Sequence, residues 1–277
     1  MDLVREDYDE DKYILYNKNY SDNVNQIAKN IIDKIWFNKT SEFKTDLVKD
    51  KRKGGVFKFN FNDSTYYVKY YNHTETMKLL KNIFRKPDAM RYYMIAKQLQ
   101  DIGLEAPVPI IVGIRKRNLL IEDSFLVTEK VPGPPIREYL WENQLTEDER
   151  VSIAKNIGEM MARLLNNNLI HLDPKLSNIN IDINNNFSTI LVDIDGIYKY
   201  PFLPKAIEYQ NIARLYAYSL NTKNIKIRAI EKRVFVKSFL DDYNREVDYN
   251  EFVDVINKLT IKRLKKNGKG YLIEKMN

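Results

Sequence analysis

The sequence predicts an α+β protein of two lobes, a small antiparallel β lobe followed by a mainly helical one. Three observations carry that expectation. Residues 56–71 alternate apolar and polar in two runs separated by turn residues. The single Pro/Gly cluster of the chain, Val131-Pro132-Gly133-Pro134-Pro135, follows the last strand pattern. A long amphipathic helix pattern then opens the second half. The boundary falls at the cluster, dividing residues 1–131 from 132–277.

The elements follow in order. Val56-Phe57-Lys58-Phe59-Asn60-Phe61 reads as a strand, Asn62-Asp63-Ser64-Thr65 as a turn, and Tyr66-Tyr67-Val68-Lys69-Tyr70-Tyr71 as the return strand. Lys51-Arg52-Lys53-Gly54-Gly55 ahead of them is a turn. A helix is expected over residues 88–101, ending at Gly103 and giving the small lobe one helix. Residues 107–112 lead to a strand at 119–122, and a second strand covers 125–129. Thr146 and Glu149 form a capping box, and Ile153, Ile157, Met160, Met161 and Leu164 make the apolar stripe of the helix that follows. Asn166-Asn167-Asn168 ends it. Leu169-Ile170 is a short buried strand. The alternation over residues 178–183, the turn Asn184-Asn185-Asn186, and Thr189-Ile190-Leu191-Val192 make a hairpin.

That hairpin carries the most informative motif. His171-Leu172-Asp173-Pro174-Lys175-Leu176-Ser177-Asn178, then Asp193-Ile194-Asp195-Gly196, has the layout of a kinase catalytic loop and metal-binding segment. Phosphoryl transfer from MgATP needs a carboxylate beside the attacking hydroxyl, an amide oxygen on magnesium, and a second carboxylate on the metal. Asp173, Asn178 and Asp193 supply these in order. Asp173 and Asn178 lie five positions apart, and fifteen separate Asn178 from Asp193, room for the hairpin. Lys175 is placed to reach the transferring phosphoryl group. Lys69, inside its strand, stands where a kinase keeps the lysine for the α- and β-phosphates, although an exposed strand lysine would look the same. Gly54 and Gly55 either cover the nucleotide phosphates or belong to a plain hairpin loop. Backbone groups from Glu129 to Val131 are expected on the adenine edge. The expected cofactors are ATP and Mg2+, bound between a nucleotide-binding lobe and a catalytic lobe.

Composition narrows the class. The 277 residues are 44% hydrophobic, enough for one large or two medium cores. Cysteine is absent, which excludes disulfides and thiolate metal sites. The acidic start, Met1-Asp2-Leu3-Val4-Arg5-Glu6-Asp7, has no apolar core and does not read as a secretory signal. No apolar run approaches the roughly 18–20 residues of a membrane span. The net charge of +7 favours anionic partners, with bases gathered at Lys258, Lys262, Arg263, Lys265, Lys266, Lys269 and Lys275. A solvated helix face explains that run equally well. No interleaved aromatic pattern points to nucleic acid. The expectation is a cytoplasmic protein, peripheral on the inner face of the cytoplasmic membrane if the run meets anionic lipid.

At this point the chain resembles a known family. Arg91 through Leu99, Gly103, Pro107 and Pro109 is similar to a segment of the lipopolysaccharide core kinases, which phosphorylate Kdo or heptose sugars. Phe125-Leu126-Val127-Thr128-Glu129 with Pro132-Gly133 resembles their hinge. Asn211-Ile212-Ala213-Arg214-Leu215 and Phe235-Val236-Lys237-Ser238-Phe239-Leu240 resemble their C-terminal helices. The likeness runs from about residue 56 to 243. It implies a protein-kinase-like fold, a lipopolysaccharide core sugar as acceptor, and the roles given above for Lys69, Asp173, Asn178 and Asp193. Three departures stand out. Tyr92 falls where some relatives carry Glu, leaving Glu75 as a substitute partner for Lys69. Leu172 replaces the usual Arg or Gly. Asp195 is a further metal ligand or an ion-pair partner. The aminoglycoside and choline phosphotransferases share the catalytic loop, so another small molecule, or a protein, is an alternative acceptor. An inactive binding module is the alternative of another class.

Overall fold

The computed structural model describes residues 3–17, 21–37, 46–51, 54–72, 85–117, 120–221 and 227–276. The chain forms two compact units: residues 1–97 with 107–130, and residues 98–106 with 131–277.

The first unit is built on a seven-stranded sheet, entirely antiparallel in its pairings, ordered β1-β2-β6-β7-β5-β4-β3. Its strands are β1 (Leu3–Asp9), β2 (Lys12–Asn17), β3 (Asp46–Lys51), β4 (Gly54–Phe61), β5 (Ser64–Asn72), β6 (Pro109–Arg117) and β7 (Leu120–Glu129). The predicted hairpin is the β4–β5 pair. Phe61 faces Ser64, so the loop is the two residues Asn62 and Asp63, both at positive φ as a tight hairpin turn requires. The two strands expected over residues 119–129 are one continuous strand, β7. It is almost wholly buried and paired on both sides, by β5 without a break and by β6 with two register shifts, so the strand itself runs on through Asp123 and Ser124.

Residues 3–36 are the larger correction to the expected small lobe with one helix. β1 and β2 extend the sheet beyond β6, and α1 (Ser21–Trp36) packs on its core. Val24, Ile27, Ala28, Ile31 and Ile32 recur at helical spacing and are buried with Phe59, Val68, Ile111 and Phe125. The Trp36 indole nitrogen donates to Asp123 at 2.8 Å. Asp123 also meets Arg115 and accepts from the Tyr70 hydroxyl at 3.3 Å. Burial pushes its carboxyl up and these partners pull the other way. α2 (Asp88–Asp101) starts in this unit, and its last turn belongs to the second.

The second unit is mainly helical. α3 (Ile136–Glu142) and α4 (Glu147–Asn166) follow the Pro/Gly cluster. The capping box forms as expected: the Glu149 amide donates to the Thr146 hydroxyl at 3.3 Å, and the Thr146 amide to the Glu149 carboxylate at 2.8 Å. Ile153, Ile157, Met160, Met161 and Leu164 are all buried. α5 (Lys205–Leu220), α6 (Ala229–Asp242) and α7 (Tyr249–Lys266) complete the helical layer. Two small ladders carry the motif: β8 (Leu169–His171) pairs with β11 (Ile197–Lys199), and β9 (Ile179–Asp182) with β10 (Ser188–Leu191). Gly133 braces the β9 edge. At φ +68° it lies where a Cβ would sit 1.7 Å from the Ile181 carbonyl oxygen, so no other residue fits.

Candidate active site

β8 delivers His171 to the loop, and His171 is 1% exposed. Its Nδ1 accepts the Asp173 amide at 3.3 Å, which leaves the proton on Nε2. Burial pushes its imidazole down to about 4, against the opposing pull of Asp193 and Asp173. The ring is therefore a neutral strut under the loop. The loop backbone is tied by the Leu172 amide to Gly196 O at 2.7 Å, the Lys175 amide to Asp173 O at 2.9 Å, and the Asn178 amide to Lys175 O at 2.8 Å.

Asp173, Lys175 and Asn178 are brought together as the spacing implied. Lys175 Nζ lies 2.7 Å from Asp173 Oδ2. Asn178 Nδ2 donates to the Asp173 carbonyl at 2.9 Å and to its carboxylate at 3.4 Å. Burial raises the Asp173 carboxyl, but Lys175, the Tyr218 hydroxyl and Asn178 outweigh it and hold it below the usual carboxylate range. Asp173 is thus an ionised carboxylate at neutral pH.

The β9–β10 hairpin returns Asp193 to the same place. The Val192 amide donates to Asn178 O at 3.0 Å, so residues distant in sequence become neighbours. With Nδ2 of Asn178 occupied by Asp173, its Oδ1 is the atom left to face a cation. Oδ1 and the Asp193 carboxylate are hard oxygen donors, the kind magnesium takes. Among the described residues no group of three or more His, Cys, Asp or Glu could hold a metal alone. Such a donor set fits an ion that arrives with phosphate oxygens and water. Asp195 lies in the 3-10 turn after Asp193.

The remaining predicted residues, save Val131, belong to the first unit. Lys69 is on β5 opposite Val56, and Gly55 and Gly54 open β4 opposite Tyr70 and Tyr71. Gly54, at φ +147°, is dictated by the strand it faces, because a Cβ there would meet Tyr70 O at 1.9 Å. Arg52 and Lys53 lie outside the described residues, as does Glu75. Tyr92 occupies the position facing Lys69: Lys69 Nζ stands 5.8 Å from the Tyr92 ring centroid and 5.8 Å from that of Tyr71. Glu129 ends β7 and accepts the Tyr66 hydroxyl at 3.3 Å, and the next amide, Lys130, donates to Thr65 O at 2.8 Å. Val131 opens the longer segment of the second unit.

Sequence reasoning missed one face of α5. Asn211, Arg214 and Tyr218 recur at spacings that share a helix side. Asn211 Nδ2 donates to His171 O at 2.7 Å and Arg214 Nη1 to Leu172 O at 2.8 Å. Tyr218 hydrogen-bonds the Asp173 side chain. A polar triplet at that spacing was the available signal. Arg263, grouped by charge with the C-terminal bases, turns inward: its Nη2 lies 3.5 Å from the Tyr218 hydroxyl and its Cζ 5.4 Å from that ring centroid.

Comparison with known proteins adds the relationship. No curated protein matches significantly. Among solved structures the chain is similar to one described as "WaaP in complex with acyl carrier protein", with a TM-score of 0.65 at 13% identity. That alignment covers 98% of this chain and all of the other, and it supports a protein-kinase-like fold. Residues 39–238 match the lipopolysaccharide kinase (Kdo/WaaP) family. With the catalytic loop assembled and most of its length matched, the chain belongs to the lipopolysaccharide kinase (Kdo/WaaP) family.

Proposed function

We propose that this kinase transfers the γ-phosphoryl group of ATP to a hydroxyl of a lipopolysaccharide core sugar, Kdo or heptose, with Asp173 as the catalytic base. The observation that carries the reading is the convergence of Lys175, Asn178 and Tyr218 on one ionised carboxylate. Asp173 orients the acceptor hydroxyl and takes its proton as the oxygen attacks phosphorus, and ADP leaves with the bridging oxygen. Lys175 neutralises charge on the transferring group. Asn178 and Asp193 would hold magnesium, which screens the phosphate charge when bound. Lys69 serves the α- and β-phosphates, with Gly54 and Gly55 near them in the sheet, and Glu129 and Val131 offer backbone groups to adenine. Catalysis here is positioning and electrostatics.

Membrane attachment belongs to the same proposal. Among the described residues no helix is long and apolar enough to cross a membrane. Lys258, Lys262, Lys265 and Lys266 are exposed on α7, and each base near an anionic surface contributes roughly 1 kcal/mol.

One experiment addresses both parts. The full chain is given labelled ATP, magnesium and, separately, core glycolipid in anionic vesicles, free core sugars, aminoglycosides, choline and protein. Label should enter the core sugars, and added salt should reduce transfer to the vesicle-borne acceptor more than to the free sugar. Label in aminoglycoside, choline or protein alone rejects the acceptor, and equal salt sensitivity rejects the membrane contact.

A further inference from the structure

Three cationic side chains gather around one carboxylate at the catalytic loop. Lys175 is paired with Asp173 directly. Arg214 is anchored to the carbonyl of Leu172, the residue before Asp173. Arg263 lies on Tyr218, which itself hydrogen-bonds Asp173. Lys175 has a role toward phosphate; the two arginines have none in the transfer described above.

Their arrangement is costly in a way that points outward. Arg214 Nε is buried and has no hydrogen-bond partner among the described residues. Burial, then the charge of Arg263, pushes the Arg214 guanidinium below its ordinary value. Two guanidinium groups tied to the backbone and the tyrosine on either side of Asp173, one of them with a donor unmet, lower the stability of the empty site. An anion beside both would offset the repulsion, and a planar fork suits a carboxylate or phosphate better than a point charge does.

We propose that Arg214 and Arg263, held beside Asp173 by Leu172 and Tyr218, form a subsite for an anionic group on the acceptor sugar. The proposal rests on reading Asp173 as the catalytic base, because that carboxylate marks where the acceptor hydroxyl lies. Arg214 leans on the backbone just ahead of it and Arg263 on the tyrosine that touches it. Both cations therefore flank the acceptor, while Asn178 and Asp193 serve the nucleotide and its metal. Two acceptor groups share the required chemistry. Kdo is a sugar acid with its own carboxylate, whereas heptose is neutral until it carries a phosphate.

Calorimetric titration of the full chain, with magnesium and a non-hydrolysable ATP analogue, tests this without turnover. The probes are Kdo against its methyl ester, and heptose phosphate against heptose. The charged member of at least one pair should bind about tenfold tighter or more, as charge-assisted hydrogen bonds imply. A preference in the first pair identifies carboxylate and in the second phosphate. Arg263→Ala and Arg263→Gln should bring the ratio close to one, and Arg263→Lys should restore part of it. Equal binding within both pairs overturns the proposal, as does an Arg263→Ala variant that keeps the wild-type ratio. Parallel loss of nucleotide-analogue binding in Arg263→Ala assigns the cation to ATP and also overturns it. Phosphoryl transfer is read separately: charge preference without transfer sinks the kinase assignment alone, and transfer without charge preference sinks this subsite alone.

Discussion

His171 is one of only two histidines in the chain, and it makes the site sensitive to acid. Its folded value of about 4 lies below the ordinary 6.5, so between these the unfolded chain binds a proton that the folded chain refuses. Stability from this group is complete above 6.5 and is lost as pH falls. The loss between pH 7 and pH 5 is roughly 2 kcal/mol. Denaturant titrations without nucleotide or metal should show it, and His171→Gln should flatten the dependence. NMR should find one imidazole still neutral at pH 5; two imidazoles titrating near 6.5 would contradict the account. The cluster of Asp173, Lys175 and Asn178 was legible because its spacing is local. Arg214, Tyr218 and Arg263 were not, because they reach the same carboxylate from helices far along the chain, and Arg263 looked like one more base in a basic run. Tyr92 was recognised as a departure, and its place beside Lys69 gives that departure a physical form: an aromatic face opposite the lysine.

At the scale of elements, strands and helices with a strong local signal were legible. The β4–β5 hairpin has its turn residues, and α4 has its capping box. The β9–β10 hairpin appeared at the expected place because Asn186 and Phe187 turn at positive φ between two short apolar strands. β7 was split in the reading because Asp123 and Ser124 look like a break. Both are buried: Asp123 meets Arg115 and Trp36, and Ser124 accepts the Ala89 amide at 3.4 Å. No strand or helix was expected ahead of residue 56, although Val24, Ile27, Ile31 and Ile32 already recur at helical spacing. α1 is part of the first unit's core. Ile31→Ala, at a side chain 1% exposed, should therefore cost about 2–5 kcal/mol in the denaturation of the full chain. A cost near zero would mean that α1 is only laid on the surface.

At the scale of the molecule, each unit holds one of the side chains that the proposed reaction needs. The first unit keeps Lys69 on a strand paired from both sides, next to an aromatic face. The second holds Asp173 between a neutral buried histidine and a polar face of α5, so the proposed base keeps its charge and position without help from substrate. Neither arrangement draws on the exposed bases of α7. The central claim is that Asp173 is the base in MgATP-dependent phosphoryl transfer. The most direct test is the turnover of Asp173→Asn with a core sugar, alongside its affinity for MgATP. That substitution keeps the side chain's shape and removes the base. Turnover should fall by ~10²–10⁴-fold while MgATP still binds, and chelating magnesium should silence the wild type. A variant that keeps more than about half of the wild-type rate would contradict the account, since general-base catalysis contributes far more than twofold.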